Sequence, residues 1–305
     1  MADRLRTLVP GSGHLVHMPS HIYIRVGRYS DAVDSNALAV KADRAYFANA
    51  PAPNLYAIYY AHNLHFLCYA AMMSGRYEEA MQAARALEAE MPEEPLKEYA
   101  GLIDGIMPST LHTLIRFGKW EQILEEPAYK DYRLVSNAVR YYARSIACSS
   151  LGRTEQAREE MAAFVKAMEA VPEEWYIFNN KVSQVLPIAM AMIEGELLWR
   201  EGKTEEAFAK LRAGIEWEDN LVYDEPPGWM LPVRHALGAL MMADGRAKEA
   251  EAVYREDIRQ NRNNGWGLIG LQQSLIAQGK LEQAQALEPK IQTVWAKADV
   301  RPQSS

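Results

Sequence analysis

Disulfide chemistry is almost absent from this chain. Its 305 residues hold two cysteines, Cys68 and Cys148, and neither sits in a C-x-x-C or zinc-finger spacing. Both read as buried free thiols of a protein kept reduced. A basic excess is missing too. Forty acidic residues stand against 33 Lys and Arg, a net charge of −7, which excludes the basic face that a phosphate backbone needs. No apolar run approaches the roughly 18 residues of a bilayer span, and no basic stretch followed by an apolar core marks a leader peptide. The expectation is therefore no nucleic-acid partner, no membrane insertion and, by default, a cytoplasmic protein. Met1 to Leu8 read as the tail of a helix and Pro10-Gly11-Ser12-Gly13 as a break. The chain is thus expected to begin inside a repeat, which leaves the compartment open. Also missing are a Gly-rich phosphate loop, a G-x-S-x-G elbow and an H-E-x-x-H motif, so the sequence names no reaction.

What is present is repetition. A glycine followed by a small set of residues recurs seven times: Gly27-Arg28-Tyr29, Gly75-Arg76-Tyr77, Gly118-Lys119-Trp120, Gly152-Arg153-Thr154, Gly202-Lys203-Thr204, Gly245-Arg246-Ala247 and Gly279-Lys280-Leu281. Five residues after the glycine stands Ala32, Ala80, Ala157, Ala207, Ala250 or Ala284, and Ile123 in the third copy. An apolar-periodic stretch precedes each glycine and another follows it. That pattern predicts a helix stopped by glycine, a tight turn, and a second helix whose small residue lets the pair pack closely.

The G-[RK]-[YWTAL]-x-x-A turn, seven times in series, resembles the tetratricopeptide repeat (TPR) family over nearly the whole chain. The resemblance implies an all-α fold: a right-handed α-solenoid of about seven antiparallel helix pairs with no β structure. Residues 1–13 are then the remnant of a preceding helix and turn, 14–288 the solenoid, and 289–305 a capping helix and tail. Successive glycines lie 48, 43, 34, 50, 43 and 34 residues apart, where a TPR is 34 long. The excess falls between helix pairs, at Asn49–Pro53 and Asp224–Gly228. The stretch Gly13-His14-Leu15-Val16-His17-Met18-Pro19-Ser20-His21-Ile22-Tyr23 is similar to one in a bacterial group of longer, His-rich TPR proteins.

In TPR proteins the residues 13, 10, 6, 3 and 2 places before the turn glycine face the concave groove. His14 and His62 fall at the first of these places, His17, His65 and His235 at the second, His21 and His112 at the third. All seven histidines are therefore expected in the groove. His14/His17 and His62/His65 are i, i+3 pairs on neighbouring first helices and should form a facing quartet. Neutral imidazoles so gathered suit a divalent transition metal, zinc or copper. Met72 and Met73 further along the wall would suit copper. The same quartet could instead bind another ligand or simply stack on Tyr69. Pro19 would break the first helix, and if the helix starts there His14 and His17 lie on a loop.

Other groove places carry Arg25, Arg116 and Arg200, which fit an anionic small molecule, a peptide or a protein partner. Glu196 is the one groove carboxylate, and its expected partner is Arg200 at i+4. Tyr69 and Tyr142 line the same places, as do Trp199 and Trp266. Tyr46, Tyr56, Tyr59 and Tyr60 read as core. The ligand-binding set is thus His21, Arg25, Tyr69, His112, Arg116, Tyr142, Glu196, Arg200 and His235, and the metal set His14, His17, His62 and His65. The function implied is a helical-repeat binding protein, with a metal-binding protein or metal-dependent enzyme as the alternative.

Overall fold

The computed structural model describes residues 1–50 and 56–300. Within it the seven turns are one structure repeated. Each turn glycine adopts a left-handed conformation, φ between 63° and 78°. The backbone N–H of the basic residue after it reaches back five residues to a helix carbonyl: Arg28 to Tyr23, Arg76 to Ala71, Lys119 to Leu114, Arg153 to Cys148, Lys203 to Leu198, Arg246 to Met241 and Lys280 to Leu275, at 2.8–3.0 Å. This is the Schellman closure, and it explains why the glycine is invariant within the chain while its neighbour varies. The carbonyl of that basic residue then accepts from the N–H four residues on, from Ala32 to Ala284 and from Ile123 in the third turn. Those residues are all buried. The motif read in the sequence is therefore a helix stop and a helix start joined by one residue.

The chain divides into two compact units, one formed by residues 1–92 together with 241–305, the other by 93–240. The first unit opens with α1 (Ala2–Leu8), α2 (Gly13–His17), α3 (Pro19–Arg25), α4 (Tyr29–Phe47), α5 (Tyr56–Met73) and α6 (Tyr77–Glu90). Helices α2 and α3 pack on α4, α4 on α5, and α5 on α6. Helix α5 is apolar on every side and buried almost without interruption from Tyr60 to Met73, the mark of a core helix.

The second unit contains α7 (Glu93–Glu98), α8 (Ala100–Ile103), a 3-10 turn at Asp104–Ile106, α9 (Ser109–Arg116), α10 (Trp120–Glu125), α11 (Leu134–Ser150), α12 (Thr154–Glu169), α13 (Val182–Arg200) and α14 (Thr204–Asp219). Helix α11 packs on α12 and α13, and α13 on α14. Asp104, fully buried, caps α11 by accepting from the N–H groups of Val135 and Ser136 and pairing with Arg133 at 3.1 Å.

The chain passes from the second unit to the first within α15 (Val233–Ala243), and the first unit continues with α16 (Ala247–Gln260), α17 (Gly265–Ala277) and α18 (Leu281–Val294). This returning segment docks on the second helix pair. Trp295 packs edge-on to Trp266 at 5.4 Å, and Trp266 Nε1 donates to the Met72 carbonyl at 2.9 Å. The Trp295 ring lies so close to Gly75 that a Cβ there would meet it at 1.7 Å. The Asp299 carboxylate caps α6, accepting from Tyr77 N at 2.6 Å and Glu78 N at 2.8 Å, and Lys297 pairs with Asp34.

Three expectations need amendment. A two-residue hairpin, β1 (Tyr176–Ile177) with β2 (Asn180–Lys181), interrupts the helices; two residues are too few for alternation to register. Helix α13 is 19 residues long and apolar enough, by length and composition, to cross a membrane, although over half of it is buried in the protein. No separate helix begins at Pro289, because α18 runs through it to Val294, and Trp295 just beyond its end packs over Gly75 and Gly265. The insertion at Asn49–Pro53 lies largely outside the described residues, as does the tail beyond residue 300.

Candidate metal centre

The polar residues of α5 stand in an otherwise apolar helix. Each therefore needs a partner. Asn63 donates to Asp43 Oδ2 at 2.7 Å. His62, one residue earlier, meets two imidazoles of the first repeat instead. One ring nitrogen from each of His17, His21 and His62 lies within 4.8 Å of the other two. His17 is fully buried, and His21 and His62 are half-buried. His17 and His62 rings stand at 4.8 Å, His21 and His62 at 5.8 Å. Phe66, one turn along α5 from His62, abuts all three rings at 5.0, 5.0 and 5.7 Å. The three imidazoles thus share an apolar wall on one side.

The expected quartet is replaced by this trio. His14 and His65 fall outside it, and His21, placed in the ligand-binding set by sequence, falls inside. The reason is local. Pro19 starts α3 at its first position, where a missing N–H costs nothing. Residues 13–17 remain helical rather than forming a loop, with Met18 still in the α region. The turn of helix across the break keeps His17 and His21, four apart, on one side, and their Nε2 atoms come to 2.9 Å.

Asn36 on α4 donates its amide to the Ala32 carbonyl at 2.8 Å and to Ser20 Oγ at 2.9 Å. A carbonyl only accepts, so the amide orientation is fixed and Asn36 Oδ1 faces His17 Nδ1 at 2.7 Å. His17 Nδ1 therefore carries the proton, and its Nε2 lone pair points at His21. Metal-binding histidines are commonly held this way, with one nitrogen fixed by a carbonyl and the other presented to the ion. Burial first, then the neighbouring imidazoles of His62, His21 and His14, push the His17 imidazolium down to about 2 despite the Asn36 bond. Burial first, then His65, His21 and His14, bring His62 down to about 3. Both are neutral at ordinary pH, as ligands must be.

Around the trio, His14 leans on Tyr59 at 4.5 Å and stands 6.2 Å from the His17 ring. His65 is buried. Tyr46, Tyr56 and Tyr59 form a chain of ring contacts, and Tyr56 bridges Asp43 and the His14 backbone. Met72 and Met73 are buried ten and eleven residues along α5 from His62, about 15 Å at 1.5 Å per residue, too far to join the trio. Arg25 is exposed on α3, and Tyr69 is buried on α5.

The remaining sequence-derived site residues lie in the second unit. His112 and Tyr142 both sit edge-on to Trp229 at 5.3 Å, and all three are buried. Arg116 and Glu196 lie within electrostatic reach of Tyr142, whose phenol is raised above its usual range chiefly by burial. Glu196 accepts from Arg200 Nε at 2.9 Å, the expected i, i+4 pair. His235 is buried. Cys68 and Cys148 are buried and unbridged, as their spacing implies. Sequence alone missed Asn36, Phe66 and Trp229. A signal existed for Asn36, since Ala32, Asn36, Ala39 and Asp43 lie on one buried face of α4 where apolar residues belong.

No family model matches the chain, and no curated protein does. Among solved structures it is similar to the TPR domain of P58(IPK), with 14% identity over 94% of this chain and 78% of that one, at a TM-score of 0.30. A likeness that weak carries no inference, and the helical-repeat architecture rests on the seven turns themselves.

Proposed function

We propose that this helical-repeat protein binds a divalent transition metal through His17, His21 and His62. The observation that supports the reading is the convergence of three imidazoles beside an apolar wall, with the buried one held by Asn36. A metal bound by imidazoles at 2.0–2.1 Å in tetrahedral geometry needs nitrogens about 3.3 Å apart. His17 Nε2 and His21 Nε2 stand at 2.9 Å and all three ligand nitrogens within 4.8 Å, so side-chain rotation is what would bring them to that spacing. The all-nitrogen set favours zinc or copper over magnesium or calcium. The test is metal content and calorimetry on protein purified without a His tag. One zinc or copper per chain is expected, lost in His62→Ala; no heat of binding for either metal at neutral pH would sink the reading.

A second reading concerns the second unit. Tyr142 OH, Trp229 Nε1 and His112 Nδ1 are buried without a hydrogen-bond partner among the described residues, and the Arg116 cation is near. A small anionic ligand or peptide carboxylate would satisfy two donors at once. Titration with short carboxylates should give saturable binding that weakens in both Tyr142→Phe and Arg116→Ala, and unchanged binding in both variants would contradict it.

A further inference from the structure

We infer that the metal in this site keeps one coordination position open for a small exogenous ligand, and that His14 stands beside that position as its hydrogen-bonding partner. The inference rests on the metal-binding reading above. The trio supplies three nitrogens, and a tetrahedral ion takes four ligands. Phe66 abuts all three rings, so its side offers no donor. Asn36 is committed to His17, Ser20 and Ala32. Asp43 is occupied by Tyr56 and Asn63. No carboxylate or thiol joins the set of ligand atoms. His17 is buried while His21 and His62 reach the surface, so the fourth position lies toward the solvent rim.

His14 is at that rim. Its ring is half-buried, rests on the partly exposed Tyr59, and lies close enough to both His17 and His62 to influence them electrostatically. It is nonetheless outside the ligand set, with its ring centre 6.2 Å from that of His17. Its Nδ1 is shielded from solvent and has no hydrogen-bond partner among the described residues. An imidazole whose ring centre is 6.2 Å from that of His17, with a buried nitrogen that meets no partner among the described residues, is near enough to serve a ligand held by the ion. Three protein ligands plus one exchangeable ligand is the pattern of reactive rather than purely structural metal sites. The ligand class is a small anion or a water.

Cobalt(II) is the probe, because its visible absorption reports coordination number, and azide is the test anion. The full chain is loaded with cobalt and titrated with azide. The expected result is a saturable change in the cobalt spectrum. In His14→Ala and His14→Phe, the second preserving contact with Tyr59, cobalt should still bind within about threefold, while azide binds about five- to tenfold more weakly, the loss of one hydrogen bond. A four-nitrogen spectrum indifferent to azide, with cobalt lost in both variants as in His62→Ala, would make His14 a fourth ligand and overturn the inference while leaving metal binding intact. Azide affinity unchanged in both variants would overturn the role of His14. Absence of any cobalt spectrum in wild type would instead defeat the metal-binding reading, and this inference with it.

Discussion

His17 and His235 occupy the same place in their repeats, ten residues before the turn glycine, and both are buried. Yet His17 has two imidazoles and an amide around it, whereas no second cluster of possible metal ligands occurs among the described residues. In the second unit His112 faces Trp229, an aromatic edge rather than a second imidazole. The difference teaches that a repeat position fixes the direction of a side chain, and the neighbouring helix decides its chemistry. Helix α5 brings His62 and Phe66 to the first repeat.

The strongest way to disturb the first unit without touching its histidines is at its returning end. Trp295→Ala removes a fully buried ring that fills the space over Gly75 and Gly265, and should cost about 3–5 kcal/mol. Urea unfolding followed by circular dichroism measures this. A loss under about 1 kcal/mol would mean that the end does not hold the first two repeats.

Acid separates the units next. Unfolded histidine takes a proton near pH 6.5, whereas folded His17 and His62 stay neutral down to about 2 and about 3. Their folded values are depressed, so the unfolded chain binds more protons and stability falls as pH drops below 6.5. Between pH 7 and 5 each should cost about 1–2 kcal/mol. His112, held at about 4 by burial alone, adds the corresponding loss in the second unit. The fall in Tm from pH 7 to 5 should shrink in His62→Gln. An identical fall would show that these imidazoles are protonated in the native protein.

A smaller effect tests Asn36. Asn36→Leu keeps the volume but leaves the His17 Nδ1 proton without its acceptor, and metal affinity should fall about 10- to 100-fold. A competitive chelator titration gives the number, and no change would remove Asn36 from the site. Smallest of all, Glu196→Gln breaks a half-exposed ion pair with Arg200 and should cost under about 0.5 kcal/mol. A loss above about 1 kcal/mol by urea unfolding would give Glu196 a larger part in the second unit.

Much of the fold was legible, for a physical reason. The left-handed glycine and the small buried residue five places on are local requirements of a closed helix pair, and they recur wherever the pair recurs. The histidine trio was legible only in part. The i, i+3 spacing of His14 and His17 suggested a ligand pair, but the chosen pair was His17 with His21, across a proline that stops the hydrogen-bond ladder while leaving the helical path nearly intact. Asn36 and Phe66 come from helices whose register against α2 and α3 depends on packing that no single segment encodes. The docking of Trp295 on Gly75 joins residues 220 apart and left no local mark.

The most direct measurement compares His21 with His65, because spacing and structure disagree about them. Zinc affinity would be measured by competition with a chelator for wild type, His21→Ala, His62→Ala, His65→Gln and His235→Ala, each checked for native circular dichroism. The trio predicts a loss of at least about 100-fold for His21→Ala and His62→Ala, as expected when one of three ligands is removed, and less than about threefold for His65→Gln and His235→Ala. Zinc retained in His21→Ala and lost in His65→Gln would contradict it.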